Sequence, residues 1–105
     1  MATSVVEDQF TLTGTLQDIR TTPASKRDVV VVMVSNPGDS TTWKLTYAPN
    51  GNVDAPEHVR IPDQFLSGPG SQESPVFTLP AGSVLRASSP GTGVTVMVNG
   101  ISQDV

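Results

Sequence analysis

Apolar and polar positions alternate along the chain in short runs, and most runs end at Gly, Pro, Asn or Asp. A period of two marks extended strands whose alternate side chains face a core. Phe10, Leu12 and Leu16 share one parity with threonines between them, which predicts a first strand, or two strands broken at Gly14. Residues 21–27 read as a loop and residues 28–35 as the next strand. Asn36-Pro37-Gly38-Asp39 then places Pro and Gly at the central positions of a type II turn. Residues 41–47 return with Trp43, Leu45 and Tyr47 alternating against Thr42, Lys44 and Thr46, which predicts a hairpin.

Residues 48–57 hold Pro49, Pro56 and Asn50-Gly51 without periodicity, and read as a long crossover loop. Pro62 confines a short strand over residues 58–65 to a sheet edge. Residues 68–75 form a second long loop, and residues 76–79 and 83–88 are short strands around the turn Pro80-Ala81-Gly82. The last strand alternates Val94, Val96 and Val98 with Thr95, Met97 and Asn99, and closes at Ile101. About seven short strands at this spacing make the chain all-β, a single antiparallel β-sandwich or jelly roll, with a barrel as the alternative. Residues 1–8 are left as an N-terminal arm and residues 9–105 as one domain without internal repeats.

Composition strengthens the β reading. Val contributes 15 and Thr 12 of the 105 residues, and the 9 Gly and 9 Pro leave no room for long helices. The absence of Cys excludes disulfide scaffolds, thiolate metal sites and cysteine nucleophiles. Six Lys and Arg against 10 Asp and Glu give a net charge of −4, too few cations to displace counterions from phosphates, so no nucleic-acid partner is expected. The longest apolar run covers residues 29–34, far short of the roughly twenty residues of a membrane-spanning helix, so no membrane partner is expected. The first residues lack the basic end and apolar stretch of a signal peptide, which predicts synthesis and assembly in the cytoplasm.

Candidate chemistry is sparse. His58 is the single histidine, and the Gly-x-Ser-x-Gly pattern of a nucleophile elbow is absent. Asp54, Glu57 and His58 make the one acidic and imidazole cluster, and Asn50-Gly51-Asn52-Val53-Asp54 sets oxygen ligands at alternate positions as calcium loops do. Pro56 interrupts that loop and its twelfth position is Ile61 rather than a bidentate Glu, so it reads as a crossover. Glu7 and Asp8 point to opposite faces of an extended chain, and Gly91-Thr92-Gly93 precedes a strand instead of the helix that would cradle a phosphate. No catalytic residue, cofactor or metal is expected. Trp43 and Tyr47 share a parity; turned inward they are core, turned outward they form a sugar-stacking platform. Long Gly-, Pro- and Asn-rich loops are uncommon without a use, which makes Asn50, Asn52, Asp54, Gln72 and Glu73 candidate partner contacts.

The valine run departs from the pattern of its neighbours. Val29 to Val34 is apolar on both faces of one strand, so something covers the second face. With Val30, Val32 and Val34 in the core, Val29, Val31 and Met33 lie either under a loop of the same chain or at an oligomer interface. A buried Val contributes roughly 1.5–3 kcal/mol, so three such positions supply several kcal/mol of association free energy.

The stretch from Leu79-Pro80-Ala81-Gly82-Ser83-Val84-Leu85-Arg86 to the final strand Val94-Thr95-Val96-Met97-Val98-Asn99-Gly100-Ile101 resembles the C-terminal half of small β-sandwich proteins of tailed-bacteriophage virions. Ser83 stands where that pattern usually has Asp. Thr21-Thr22-Pro23-Ala24 leading into the valine strand, then Ser35-Asn36 and a third alternating strand, is similar to their first half. The resemblance implies a head decoration or cement protein, or a neck or tail accessory subunit. It further implies a homo-oligomer, with a trimer favoured, that binds the major capsid or another virion protein and is located in the virion after assembly in the host cytoplasm. It carries over no catalytic residue. The alternative is a carbohydrate- or receptor-binding module of a fibre or tail accessory protein, using Trp43, Tyr47 and the long loops.

Overall fold

A computed structural model describes residues 3–49 and 59–105. Nine strands are present among them: β1 (Thr3–Thr11), β2 (Gln17–Thr21), β3 (Lys26–Asn36), β4 (Thr41–Ala48), β5 (Val59–Leu66), β6 (Gly70–Glu73), β7 (Phe77–Leu79), β8 (Val84–Ser88) and β9 (Thr95–Asp104). They form two antiparallel sheets packed face to face, an all-β sandwich. One sheet has the order β1-β9-β3, with β6 and β7 pairing successive stretches of the far side of β3. The other has the order β2-β8-β4-β5.

The core lies where the alternation places it. Val30, Val32 and Val34 of β3 and Val96 and Val98 of β9 meet Trp43 and Leu45 of β4, Leu66 of β5 and Leu85 and Ala87 of β8. Val6 of β1 and Ile19 of β2 extend the same core toward one edge.

Several elements differ from the sequence reading. Residues 3–8, read as part of an arm, form the first half of β1, whose register with β9 runs unbroken from Thr3↔Gln103 to Thr11↔Thr95. Asn36-Pro37-Gly38-Asp39 does not close a hairpin, because β3 and β4 belong to different sheets and the turn carries the chain across the sandwich. Both edges of β3 are already occupied, by β9 on one side and by β6 and β7 on the other. Buried Asn36 holds the crossing: its amide nitrogen donates to the Asp39 carbonyl at 2.8 Å, and its side-chain oxygen accepts from the Gly38 N–H at 3.1 Å. The loop expected over residues 68–75 contains β6, and most of the crossover expected over residues 48–57 lies outside the described residues.

Candidate functional site

β3 sits inside its sheet, so both of its faces are decided by what stacks above and below. Its even positions Val30, Val32 and Val34 are buried against the second sheet. Its odd positions Arg27, Val29, Val31 and Met33 point the other way, which places the candidate interface residues Val29, Val31 and Met33 together on the outer face. Met33 is 39% exposed.

The register extends this face across three strands. Val29 is level with Ile101 of β9 and, beyond it, Val5 of β1. Val31 is level with Asn99 and Glu7, and Met33 with Met97 and Gln9 on one side and Glu73 of β6 on the other. Residues paired directly across an antiparallel ladder point to the same side of the sheet, so these side chains share one surface. Val5, Met33, Met97 and Ile101 thus join Val29 and Val31 in an apolar patch, and the 75% exposure of Val5 leaves its edge uncovered by the described residues. A shallow depression of about 230 Å³ opens in this face beside Gln9, Met33, Thr95 and Met97.

Sequence reading found the centre of the patch and missed its flanks. Val5 and Val6 are a short apolar pair within a stretch read as an arm, and Met97 and Ile101 read as the ordinary end of a strand. Only the β1-β9-β3 order brings them beside the valines.

The other candidates are dispersed. Trp43 is buried in the core and its Nε1–H donates to Gln72 Oε1 at 3.1 Å, which corrects the outward sugar platform: the parity of Trp43 faces the opposite sheet. Tyr47 is half-buried and its hydroxyl accepts a long hydrogen bond from Ser83 Oγ at 3.4 Å. Gln72 is not a loop residue but a link between sheets, its amide also donating to the Phe65 carbonyl. Glu73 is exposed at the rim of the outer face. Asn50, Asn52, Asp54, Glu57 and His58 lie outside the described residues.

Two further features are polar. The buried Asp28 carboxylate accepts from Arg20 Nε at 2.6 Å and Nη2 at 3.0 Å and from the Thr22 hydroxyl at 2.9 Å, tying β3 of one sheet to β2 of the other. Burial is the largest single influence on Asp28 and raises its pKa, but the hydrogen bonds and the charge of Arg20 together outweigh it, and the group ends below its ordinary value. Ser102, level with Asp28 on β9, also favours the charged carboxylate, although its buried hydroxyl falls short of full hydrogen-bond geometry; Arg20 and Thr22 are the firm partners. The hydrogen bond to Asp28 raises the Arg20 pKa against the opposing effect of burial. At one end of the sandwich, the turns 37–41 and 90–93 enclose an open groove of about 570 Å³ in which Asp39 is the one charged side chain. Among the described residues, no three His, Cys, Asp or Glu side chains stand together to hold a metal ion.

The described surface therefore offers an apolar sheet face rather than a cleft with convergent chemistry. Comparisons with protein-family models, curated proteins and solved structures return no match.

Proposed function

We propose that this chain is a non-enzymatic structural subunit of a tailed-phage virion, a capsid decoration or cement protein that binds and stabilises the head lattice. One observation carries the adhesive part of this reading: the exterior of the five-stranded sheet, which faces no other described element, is apolar over Val5, Val29, Val31, Met33, Met97 and Ile101. A solvent-facing sheet surface ordinarily alternates to polar residues, and a contiguous apolar exterior marks a surface that is covered in use. The virion assignment rests on the resemblance of residues 79–101 and 21–47 to small phage sandwich proteins. A lattice protein of this kind works by shallow contacts repeated over a symmetric shell, where avidity replaces a deep pocket.

The test is purification of assembled particles from the natural source, with quantification of this chain against the major shell protein. The expected result is a fixed stoichiometric copy number that survives density-gradient separation. Absence of the chain from the particles would overturn the reading.

A further inference from the structure

The outer face of the five-stranded sheet has a charge pattern that adhesion to an arbitrary partner does not require. Arg27 begins the face at one end of β3, level with Gln103, to whose side-chain oxygen its Nη2 donates at 3.2 Å. Glu73 marks the other end, level with Met33. Among the described residues neither charge takes part in an ion pair. Val29 and Val31 lie between them, so a cation and an anion flank an apolar centre along one strand direction.

We propose that two copies of this chain pair face to face through this surface, about a two-fold axis that lies in the interface and crosses the strands at the level of Val30. An isologous contact requires a self-complementary surface, in which each feature and its complement lie equally far from the axis on opposite sides. Here they do. An axis at Val30 seats Arg27 of each copy over Met33 of the other, one strand from its Glu73, and Val29 of each over Val31 of the other. One strand spacing is about 5 Å, within reach of an arginine side chain. Glu7, on the edge strand, falls beside Val5 of the second copy, where its carboxylate keeps contact with water.

The shape of the face fits the same occupant. It measures roughly 25 Å along the strands and 20 Å across them, about 500 Å² per copy. A pair then buries about 1,000 Å² in total, near the lower limit of a specific interface, which suits a reversible dimer. The three-fold cluster implied by the resemblance does not arise through this face, because face-to-face packing of one flat surface closes at two copies. The inference rests on the reading of the same face as adhesive, and it specifies what covers it.

Sedimentation equilibrium of the full chain, from about 1 to about 100 µM at low salt, reads the association directly. The expected result is a monomer–dimer equilibrium that Val31→Asp shifts to monomer. Arg27→Glu and Glu73→Arg should each raise the dissociation constant roughly tenfold or more, since a symmetric pair loses the contact twice. The double swap, Arg27→Glu with Glu73→Arg, should return it to within about threefold of the parent. Arg27 and Glu73 are exposed, so the charge swaps decide the matter even if Val31→Asp misfolds, and circular dichroism confirms the fold of each variant. A monomer throughout the range, a trimer, or a double swap that fails to restore pairing would overturn the proposal. Particle copurification is read separately, so loss of the dimer leaves the lattice reading standing, and loss of the lattice reading leaves the dimer measurable.

Discussion

At the scale of single residues, two positions determine much of the packing. A Cβ added at Gly100 would lie 1.9 Å from the Val29 carbonyl oxygen and 2.8 Å from the Val30 Cα, both backbone atoms of the central strand. Backbone inside a paired sheet cannot yield that space cheaply, so Gly100→Ala should destabilise by about 2–3 kcal/mol in urea unfolding. Gly14 meets nothing within 4 Å, and Gly14→Ala should stay within about 0.5 kcal/mol. Asp28 is the second position. Asp28→Asn leaves Arg20, whose side chain is 17% exposed, with the more exposed Asp8 carboxylate at 3.8 Å as its remaining counter-charge, and should cost about 3 kcal/mol, the low end for a broken buried pair because Arg20 keeps that partner and some water. The folded-state pKa of Asp28 is depressed, so its contribution is present above the ordinary carboxylate value of 3.8 and is lost as the pH falls through the lower folded value. Unfolding midpoints measured between neutral pH and about pH 2 should therefore fall more steeply for the parent than for Asp28→Asn. Neither position was legible in the sequence, where Asp28 stood singly beside Arg27 and its true partner Arg20 belonged to another strand.

At the scale of elements, legibility followed alternation. Strands β4 and β9 carry a period of two, β3 departs from it only by being apolar on both faces, and all three were placed correctly, whereas Gly70-Ser71-Gln72-Glu73 has no apolar residue and read as loop, yet it pairs with residues 33–36 of β3. The reason is that an edge segment is held by backbone hydrogen bonds and a few side-chain links, not by an apolar face. Ser74 is one such link: its N–H donates to the Val32 carbonyl at 2.8 Å, and its Oγ accepts from the Val32 N–H at 2.9 Å. Ser74→Ala leaves a buried N–H without its acceptor and should cost about 1–3 kcal/mol, measurable by denaturant unfolding. Removal of residues 68–74, which a loop reading treats as harmless, should instead expose the edge of β3 and strip Trp43 of its Gln72 acceptor. A red-shifted Trp emission with loss of cooperative unfolding is the expected outcome, and a deletion variant of parental stability would show that β6 is dispensable.

At the scale of the whole molecule, the order of strands determines how it folds. Of the consecutive pairs in the chain, β4 and β5 alone are hydrogen-bonded neighbours among the described strands, and the chain passes between sheets from β1 to β2, β2 to β3, β3 to β4, β5 to β6, β7 to β8 and β8 to β9. Neither sheet can therefore be assembled or lost without the other, because every strand of one is bracketed in sequence by strands of its opposite or by the single β4–β5 pair and the β6–β7 edge. This interleaving escaped the sequence reading, since a turn such as 36–39 has the same local chemistry whether it closes a hairpin or crosses a sandwich. It has a kinetic and an equilibrium consequence. Non-local pairing must close long loops before any contact rewards it, so refolding should occur in milliseconds to seconds rather than microseconds. Trp43 supplies the probe: its ring belongs to one sheet and its indole N–H is bonded to Gln72 of the other, so its fluorescence reports the joining of the two. Equilibrium unfolding followed by Trp43 emission and by far-ultraviolet circular dichroism should give coincident transitions, at a protein concentration low enough to keep the chain monomeric. Two separated transitions would mean that one sheet survives alone, which the interleaved order does not permit.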